Sequence, residues 1–411
     1  MKKFHRLTFA TVLLLLFALV TAQSNPIVLF VRTGPEAEGL RPVADAFTAE
    51  TGIVVEFMEI GRAGYFATMT TQLVSGTDAF DLVATNSAYV AQLAAAGALE
   101  PLDACLAAAP SSYDIDDILF TYGYEGSVYS IPFDVSSHFL YYRSDLIQDP
   151  PQTWDEYLEL AREFTLTLNP ESPTRYGAAL TALPGPELPK AFYSLMWSFG
   201  GFILDGDAVG IDSAEAIAAA NTLRSFVDVG VLTPDIISWG FPNVFDALQT
   251  GQVAMAAPYW NAAFPQILSS ESPYKDDIAV TLVPGVLQED GTVLRTPFQH
   301  GWAFVLNADS KEKERACEFL RHATSQDGML MYAANGGTPA RRSVLSDPSL
   351  QPRVYYDLML ASLEISKDEP SVPFYLEMHE IMNQALTDVV TTAEDPAAIM
   401  QRAAQRIRAL Q

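Results

Sequence analysis

The hydrophobic positions of the chain follow strand and helix spacing in turn. The apolar run at residues 27–31 predicts a strand, and apolar positions 40, 43, 44 and 47 then recur at helical spacing. Further strands are predicted at 53–55 and 81–84, and helices at 65–74 and 89–96. Strands that alternate with helices predict an α/β domain with a mainly parallel sheet.

The alternation continues through the rest of the chain. Strands are predicted at 128–131, 139–142, 253–256 and 278–282, and a long helix from about 213 to 229. Helix starts are indicated by the capping pair Thr153 and Glu156, by Ser310 and by Asp395. A chain of 411 residues predicts two or three domains. It contains no low-complexity linker or short repeat that would mark their borders.

The first residues have the pattern of a secretory signal. Three basic residues within the first six precede the apolar stretch 7–20, and the small residues Val20 and Ala22 precede a predicted cleavage after Ala22. The apolar stretch is shorter than the roughly 20 residues of a membrane-spanning helix. No cysteine follows the cleavage point to carry a lipid. We therefore expect residues 1–22 to be removed and the mature protein to be soluble and periplasmic.

Charge and motifs exclude several classes of function. The chain has 50 acidic and 24 basic residues, a balance that disfavours nucleic acid as a partner. None of the five histidines has a second His or Cys at metal-ligand spacing. Phosphate-binding glycine loops and a nucleophile elbow are also missing from the sequence. We predict a protein that is not an enzyme and that uses no cofactor and no metal.

The two cysteines leave two possibilities open. Secretion into an oxidising compartment allows Cys105 and Cys317 to form a disulfide. Cys317 also lies on an apolar helix face, which suits a buried free thiol equally well.

Aromatic residues in predicted loops suggest the type of ligand. They are Tyr65, Tyr259, Trp260, Trp302 and Tyr375. A sugar offers apolar C–H faces that stack on aromatic rings and a rim of hydroxyls that bind planar polar groups. For each ring, a place in the hydrophobic core is the competing interpretation.

Several segments together are similar to one protein family. The chain resembles the extracellular solute-binding proteins of ABC sugar importers, the group that includes maltodextrin binders. The likeness runs from about residue 27 to the C-terminus. Each segment alone is weak evidence for the resemblance, but the order and spacing of all of them together are strong evidence. The segments are residues 47–55, 80–83, 93–102, 126–132, 140–146, 151–156, 245–251, 254–255, 258–260, 301–302 and 336–341.

The resemblance implies a two-lobed periplasmic-binding-protein fold of type II. Lobe 1 would comprise residues 26–132 and 286–338, and lobe 2 residues 133–285 and 339–411. The chain would cross between the lobes near 131–135, 283–285 and 337–341. A monomeric protein would close around its ligand by a hinge motion and deliver it to the permease subunits of an ABC importer.

The resemblance also implies ligand-contacting positions. They are Glu36, Arg62, Tyr65, Asn86, Ser136, Tyr259 or Trp260, Trp302 and Arg341, to which the aromatic pattern adds Tyr375. Asn86, Ala88 and His379 depart from the maltose-binding pattern, which argues against maltose itself.

Two other functions compete with sugar binding. The same fold could bind a polyamine, a phosphate ester or a metal chelate. A secreted glycoside-active enzyme would need two facing carboxylates about 5–10 Å apart, and the predicted cleft offers Glu36 without an evident partner.

Overall fold

The computed structural model describes residues 25–61, 64–185 and 187–411, so the predicted signal segment and Arg62 lie outside the described residues. The strands are β1 (Ile27–Arg32), β2 (Val55–Ile60), β3 (Leu82–Asn86), β4 (Leu99–Glu100), β5 (Tyr122–Tyr124), β6 (Ser127–Arg143), β7 (Tyr176–Ala179), β8 (Leu204–Asp205), β9 (Ala208–Val209), β10 (Val253–Trp260), β11 (Ile278–Leu282), β12 (Val286–Leu287), β13 (Val293–Leu294) and β14 (Gln299–Asn307).

Helices cover both sides of these strands. They are α1 (Pro35–Thr51), α2 (Tyr65–Ser75), α3 (Val90–Ala95), α4 (Asp103–Ala107), α5 (Trp154–Glu163), α6 (Glu187–Ser198), α7 (Ala214–Val229), α8 (Phe241–Gln249), α9 (Ala263–Leu268), α10 (Lys313–Ala323), α11 (Gln326–Ala334), α12 (Arg342–Leu345), α13 (Arg353–Ile365), α14 (Tyr375–Thr391) and α15 (Pro396–Arg408). Short 3₁₀ turns occupy Ser87–Tyr89, Ser111–Tyr113, Ile115–Asp117 and Ile236–Ser238.

Lobe 1 is built on a mixed sheet of strand order β2-β1-β3-β14-β6, with β4 and β5 paired at its margins. β1 runs parallel to β2 and β3, whereas β14 is antiparallel to β3 and β6. Its core combines apolar strand residues such as Phe30 and Phe304 with the inward face of α1, including Phe47. The helical spacing seen in the sequence therefore corresponds to the face of α1 that packs on this sheet.

Lobe 2 is built on the C-terminal half of β6, which pairs with β10 and β11, and on β7, which pairs with β10. One apolar cluster joins α6, α7, α14 and α15 to this sheet, and a second joins it to α8, α9 and α13. Both sheet faces are covered, which explains why β10 is apolar at almost every position.

β6 carries the chain from lobe 1 to lobe 2. It pairs with β14 as far as Ser137 and with β10 from His138 onward. At the third predicted crossing, Pro339 bridges to Asp134 on β6. After the second predicted crossing, the chain remains in contact with lobe 2, because Gly285 bridges to Thr153 and Phe298 lies in the lobe 2 core. We therefore propose the second crossing near residue 299 and not at 283–285.

Local signals in the sequence account for several helix ends. Thr153 and Glu156 form the predicted capping box of α5, and Ser213 and Asp395 cap α7 and α15. The glycine after α7, Gly230, has φ 80°, a left-handed conformation that glycine adopts without a steric penalty. The prediction for Ser310 was wrong: α10 begins at Lys313, and the Ser310 hydroxyl donates to Asp81 at 2.6 Å.

Other predictions missed the length or place of a strand. The two strands predicted at 128–131 and 139–142 are a single strand, β6. Four of the aromatic residues predicted in loops lie in regular structure: Tyr259 and Trp260 in β10, Trp302 in β14, and Tyr375 at the first position of α14. Tyr65 begins α2, where the predicted helix 65–74 also begins.

The structure pairs the two cysteines, whose Cα atoms are 5.7 Å apart. The bond ties α4 to α10 within lobe 1 across a separation of 212 residues. Closing so long a loop restricts the unfolded chain. Replacing Cys105 and Cys317 with serine should therefore lower the free energy of unfolding by about 2–5 kcal/mol in urea denaturation. Dithiothreitol should lower the free energy of unfolding of the wild type by a similar amount and leave that of the double variant unchanged. Equal stability of the oxidised wild type and the variant would contradict this.

Within the described part of the chain, no helix is long and apolar enough to cross a membrane. The same residues contain no cluster of three or more His, Cys, Asp or Glu side chains placed to hold a metal ion.

Candidate functional site

A cavity of about 530 Å³ lies between the two lobes beside the crossing strands. Lobe 1 contributes the last residues of β1 and β3 and residues of α1 and α2, lobe 2 contributes residues of α6, α8, α9 and β10, and the crossings form its floor. Its main lining residues are Arg32, Glu36, Glu38, Phe66, Asn86, Asp134, Ser136, Glu187, Lys190, Phe241, Trp260, Asn261, Gln266, His300, Trp302, Tyr332, Asn335, Thr338 and Tyr355.

The two tryptophans of the cavity differ in what surrounds them. Trp302 is only 4% exposed, with the Arg32 guanidinium 4.4 Å from its ring centroid and Phe66 stacked at 5.8 Å. Trp260 is more exposed, and its ring centroid lies 4.2 Å from that of His138, 4.9 Å from that of His300 and 5.7 Å from that of Phe298. Because Trp260 is the more exposed of the two cavity tryptophans, it is the better platform for stacking.

The charges along the cavity wall are compensated by the protein itself. Arg32 pairs with Glu36 at 2.8 Å, and Lys190 pairs with the buried Glu369 at 3.2 Å. Glu187 accepts a hydrogen bond at 2.8 Å from the backbone N–H of Phe241, the first residue of α8. A helix N-terminus is a favourable place for a carboxylate. The cavity therefore presents polar groups without a large uncompensated charge.

Asp134 lies on β6 at the floor of the cavity. Its Oδ2 accepts hydrogen bonds from the Tyr332 hydroxyl at 2.9 Å and from the backbone N–H of Thr338 at 3.0 Å. Burial, reinforced by the negative charge of Glu36, raises the pKa of Asp134 to about 8. The carboxyl is therefore mostly protonated at neutral pH, which further reduces the charge of the cavity.

Two buried histidines lie at the cavity: His300 is a lining residue, and His138 lies behind the lining. His300 contacts the Asn86 side chain, and His138 contacts the Ser194 hydroxyl at 2.8 Å. Burial, with the charge of Lys190 adding to it, lowers the pKa of His138 to about 3 and holds that of His300 well below its usual range. Both rings are therefore neutral hydrogen-bonding groups and not cations.

Asn261 is fixed in one orientation by its neighbours. Its side-chain oxygen accepts from the Ser137 backbone N–H at 2.9 Å, and its NH₂ group donates to the Tyr355 hydroxyl at 2.7 Å. Tyr355 in turn contacts Thr338 at 2.8 Å. These bonds join β6, β10, α13 and the third crossing, so they preorganise the floor of the cavity between the lobes.

The structure brings half of the ten predicted site residues to the cavity. Glu36, Asn86, Ser136, Trp260 and Trp302 line it, and Arg62 lies outside the described residues.

The other four predicted residues have buried structural positions. Tyr65 donates to the Ala84 carbonyl in the lobe 1 core, Tyr259 donates to the Phe241 carbonyl at 2.8 Å, and Tyr375 donates to Glu369 at 3.1 Å. Arg341 is 1% exposed and bonds three backbone carbonyls. The structure therefore places these side chains in the interior instead of on the cavity surface.

Sequence reasoning missed several lining residues. Phe66 directly follows Tyr65 and Asn261 directly follows Trp260, so each lay beside a residue that was selected. Lys190 and Phe241 had no signal, because the helices that carry them come to the cavity only through the packing of lobe 2.

The family of the chain follows from a comparison with family models. The model described as bacterial extracellular solute-binding protein matches residues 43–354, three quarters of the chain. The chain belongs to this family, and the resemblance drawn from the sequence is confirmed.

Individual relatives are distant but nearly full-length. A putative binding protein of Brucella abortus is 25% identical, covering 92% of this chain and 90% of the relative. A probable amino-acid ABC transporter periplasmic-binding protein of Sinorhizobium fredii is 26% identical over 90% of this chain and 86% of its own. The mannitol-binding protein of Pseudomonas aeruginosa is 23% identical over 83% of each.

Solved structures share the fold. Maltose-bound MalE3 of T. maritima has a TM-score of 0.82 at 23% identity, covering 94% of this chain and all of the other. A solute-binding protein of Agrobacterium radiobacter in complex with ribitol has a TM-score of 0.81 at 22% identity, covering 94% and 98%. The two-lobed fold predicted from the sequence is confirmed.

Proposed function

We propose that this protein binds an uncharged sugar or polyol in the interlobe cavity, outside the cytoplasm, and delivers it to the permease of an ABC importer. The observation that carries the proposal is a cavity whose charges are paired within the protein and whose wall includes the partly exposed Trp260 and the fixed amide of Asn261. A neutral ligand rich in hydroxyls can use these groups without bringing a charge of its own. We propose that it acts in the periplasm, without a catalytic step.

The names of similar proteins support the same class of ligand. A mannitol-binding relative and structures with ribitol and maltose all concern sugars or polyols. The amino-acid assignment of the Sinorhizobium relative is the main alternative. An amino acid would need one counter-charge for its carboxylate and another for its ammonium group, and the charged side chains of this cavity already have partners.

A thermal-shift screen of the protein without residues 1–22 tests the proposal. We expect mannitol, ribitol or another sugar or polyol to raise the melting temperature, by a stabilisation of about 2.7 kcal/mol at one hundred times its dissociation constant. Amino acids, polyamines and sugar phosphates serve as the comparison set. A shift with one of these and none with any sugar or polyol would contradict the proposal.

The described structure gives Glu36 an acidic neighbour in the cavity, Asp134, which bears on the glycosidase alternative. Two hydrogen bonds hold Oδ2 of Asp134 at the hinge. We expect no release of reducing sugar from a panel of glycosides. Hydrolysis that is lost in Glu36→Gln would favour the enzyme.

A further inference from the structure

A segment of lobe 2 reaches across to lobe 1 beside the cavity. Residues 366–374, here called the bridging segment, connect α13 to α14, and both helices pack in the lobe 2 cores. At its start, the backbone carbonyl of Lys367 accepts from the backbone N–H of Gln299 at 2.8 Å, and the backbone N–H of Lys367 donates to the Pro297 carbonyl at 3.1 Å. The segment is therefore anchored on lobe 2 at both ends.

Its contacts on the other side are with lobe 1. Oδ2 of Asp368 accepts from the Tyr122 hydroxyl at 2.5 Å and from the Ser87 hydroxyl at 3.0 Å. The Ser371 hydroxyl accepts from the backbone N–H of Ala91 at 3.2 Å and donates to the Ser87 carbonyl at 3.3 Å. These partners belong to β5 and to the turn and helix after β3, which are all parts of lobe 1.

An aromatic contact extends the same interface. Tyr89, which follows Ser87 in the turn after β3, meets Tyr375 edge-on at 5.3 Å between centroids. Tyr375 is held on the lobe 2 side by its bond to Glu369. Four hydrogen bonds and one ring contact thus join the lobes here.

None of the groups that make these bonds is a lining residue of the cavity. They nevertheless adjoin the lining, because Ser87 follows Asn86 and because Glu369, next to Asp368, holds Lys190. The contacts therefore depend on the relative position of the lobes and not on direct contact with a ligand.

We propose that the bonds from Asp368 and Ser371 to Ser87, Ala91 and Tyr122 form an interlobe latch that favours the closed arrangement in the ligand-free protein and thereby sets ligand affinity. The effect on affinity rests on the proposed function. In each of these bonds, one partner belongs to lobe 1 and the other to lobe 2, so a hinge rotation separates them. Hydrogen bonds weaken steeply when their geometry is lost. A ligand that binds the closed form gains affinity in proportion to the fraction of molecules already closed.

The latch also gives ligand capture a pH dependence. Burial, with the charge of neighbouring Glu369 adding to it, raises the pKa of Asp368 to about 7. The groups that face Asp368 are Tyr122 on β5 and Ser87 after β3, and Lys190 on α6 lies beyond Glu369. Hydration in an open form would return the pKa toward its ordinary value near 4. The closed form then binds a proton that the open form lacks, so closure is favoured at low pH and weakens as pH rises through about 7.

Tyr122→Phe tests the latch because it removes one hydroxyl and keeps the ring. Its matched control is Tyr113→Phe, whose hydroxyl contacts Thr324 at 2.6 Å within lobe 1. We expect Tyr122→Phe to increase the radius of gyration of the ligand-free protein in small-angle scattering and to weaken binding of mannitol or ribitol about tenfold. Tyr113→Phe should leave both quantities at the wild-type values.

Scattering separates the latch from the function. If only a charged compound of the thermal-shift screen binds and no sugar or polyol does, the proposed function fails while the ligand-free radius still decides the latch. A wild-type protein as open as Tyr122→Phe would overturn the proposal. Asp368→Asn keeps a hydrogen-bond acceptor but cannot titrate, so it should remove the part of the pH dependence of the radius between pH 5 and 8 that comes from Asp368. Any part that comes from Asp134 should remain, because Asp134 is unchanged in both proteins. A pH dependence equal to that of the wild type would also overturn it.

Discussion

Replacing Trp260 with alanine is expected to weaken ligand binding by about 10- to 100-fold, the larger part through faster dissociation. Trp260 lies on the lobe 2 side of the cavity, where its contacts with His138, His300 and Phe298 hold the partly exposed ring in the cavity wall. Buried aromatic platforms carry a large share of binding energy. Isothermal titration with the polyol or sugar found in the thermal screen measures the change.

Two further variants distinguish stacking from a general loss of structure. Trp260→Phe keeps a flat face and should recover most of the affinity. Trp239→Ala removes a ring that packs on Tyr176 and does not line the cavity, so its dissociation constant should match the wild type. An unchanged dissociation constant in Trp260→Ala would show that the ligand does not stack on this ring.

Trp302 shows why the sequence could not rank the two tryptophans. Both residues were selected as aromatic side chains near cleft segments, and both line the cavity. The difference arises from Arg32 and Phe66, which cover the Trp302 ring and reach it only when β1 and α2 have packed beside β14. Tertiary contacts, which no local pattern records, decide which ring is the more exposed.

The fold was predictable where local periodicity and order along the chain determine it. The face of α1, the capping box of α5 and the strand β11 depend on short-range patterns, and the structure has them where they were expected. The length of β6 was not predictable, because Ser136 and Ser137 interrupt its apolar pattern at the point where the strand leaves one lobe and enters the other. Residues 286–298 carry no sequence signal of the lobe on which they pack, so the sequence could not indicate the position near residue 299 that we propose for the second crossing.

The candidate site was predictable only in part, because helix phase and distant pairing determine it. At the start of α2, a shift of one residue turns the side chain from the core to the cavity, so Tyr65 is buried and Phe66 lines the wall. The pair of Lys190 and Glu369 joins two segments far apart in sequence. The neutral character of the cavity depends on such pairs, and the overall charge of the chain did not indicate it.

Replacing Arg341 with alanine is expected to destabilise the protein by about 3–5 kcal/mol, with little effect on the ligand affinity of the folded form. The guanidinium donates to the carbonyls of Tyr113, Asp114 and Thr324 at 2.6, 2.9 and 2.7 Å, and it lies 3.1 Å from Asp117. Its removal leaves these acceptors without their donor in a buried place. Differential scanning calorimetry should record a fall in melting temperature on the order of 10 °C.

Stability and affinity measurements on Arg341 variants distinguish the buried structural role seen in the structure from the ligand contact expected from the sequence. A ligand contact would lose affinity in Arg341→Ala at unchanged stability, whereas the buried network loses stability at unchanged affinity. Arg341→Lys keeps the charge but cannot reproduce the planar fork that serves three carbonyls, so its stability should fall between those of the wild type and Arg341→Ala. The network ties the third crossing to residues 113–117 of lobe 1. An unchanged melting temperature together with weakened ligand binding would contradict this structural role and would support Arg341 as a ligand contact.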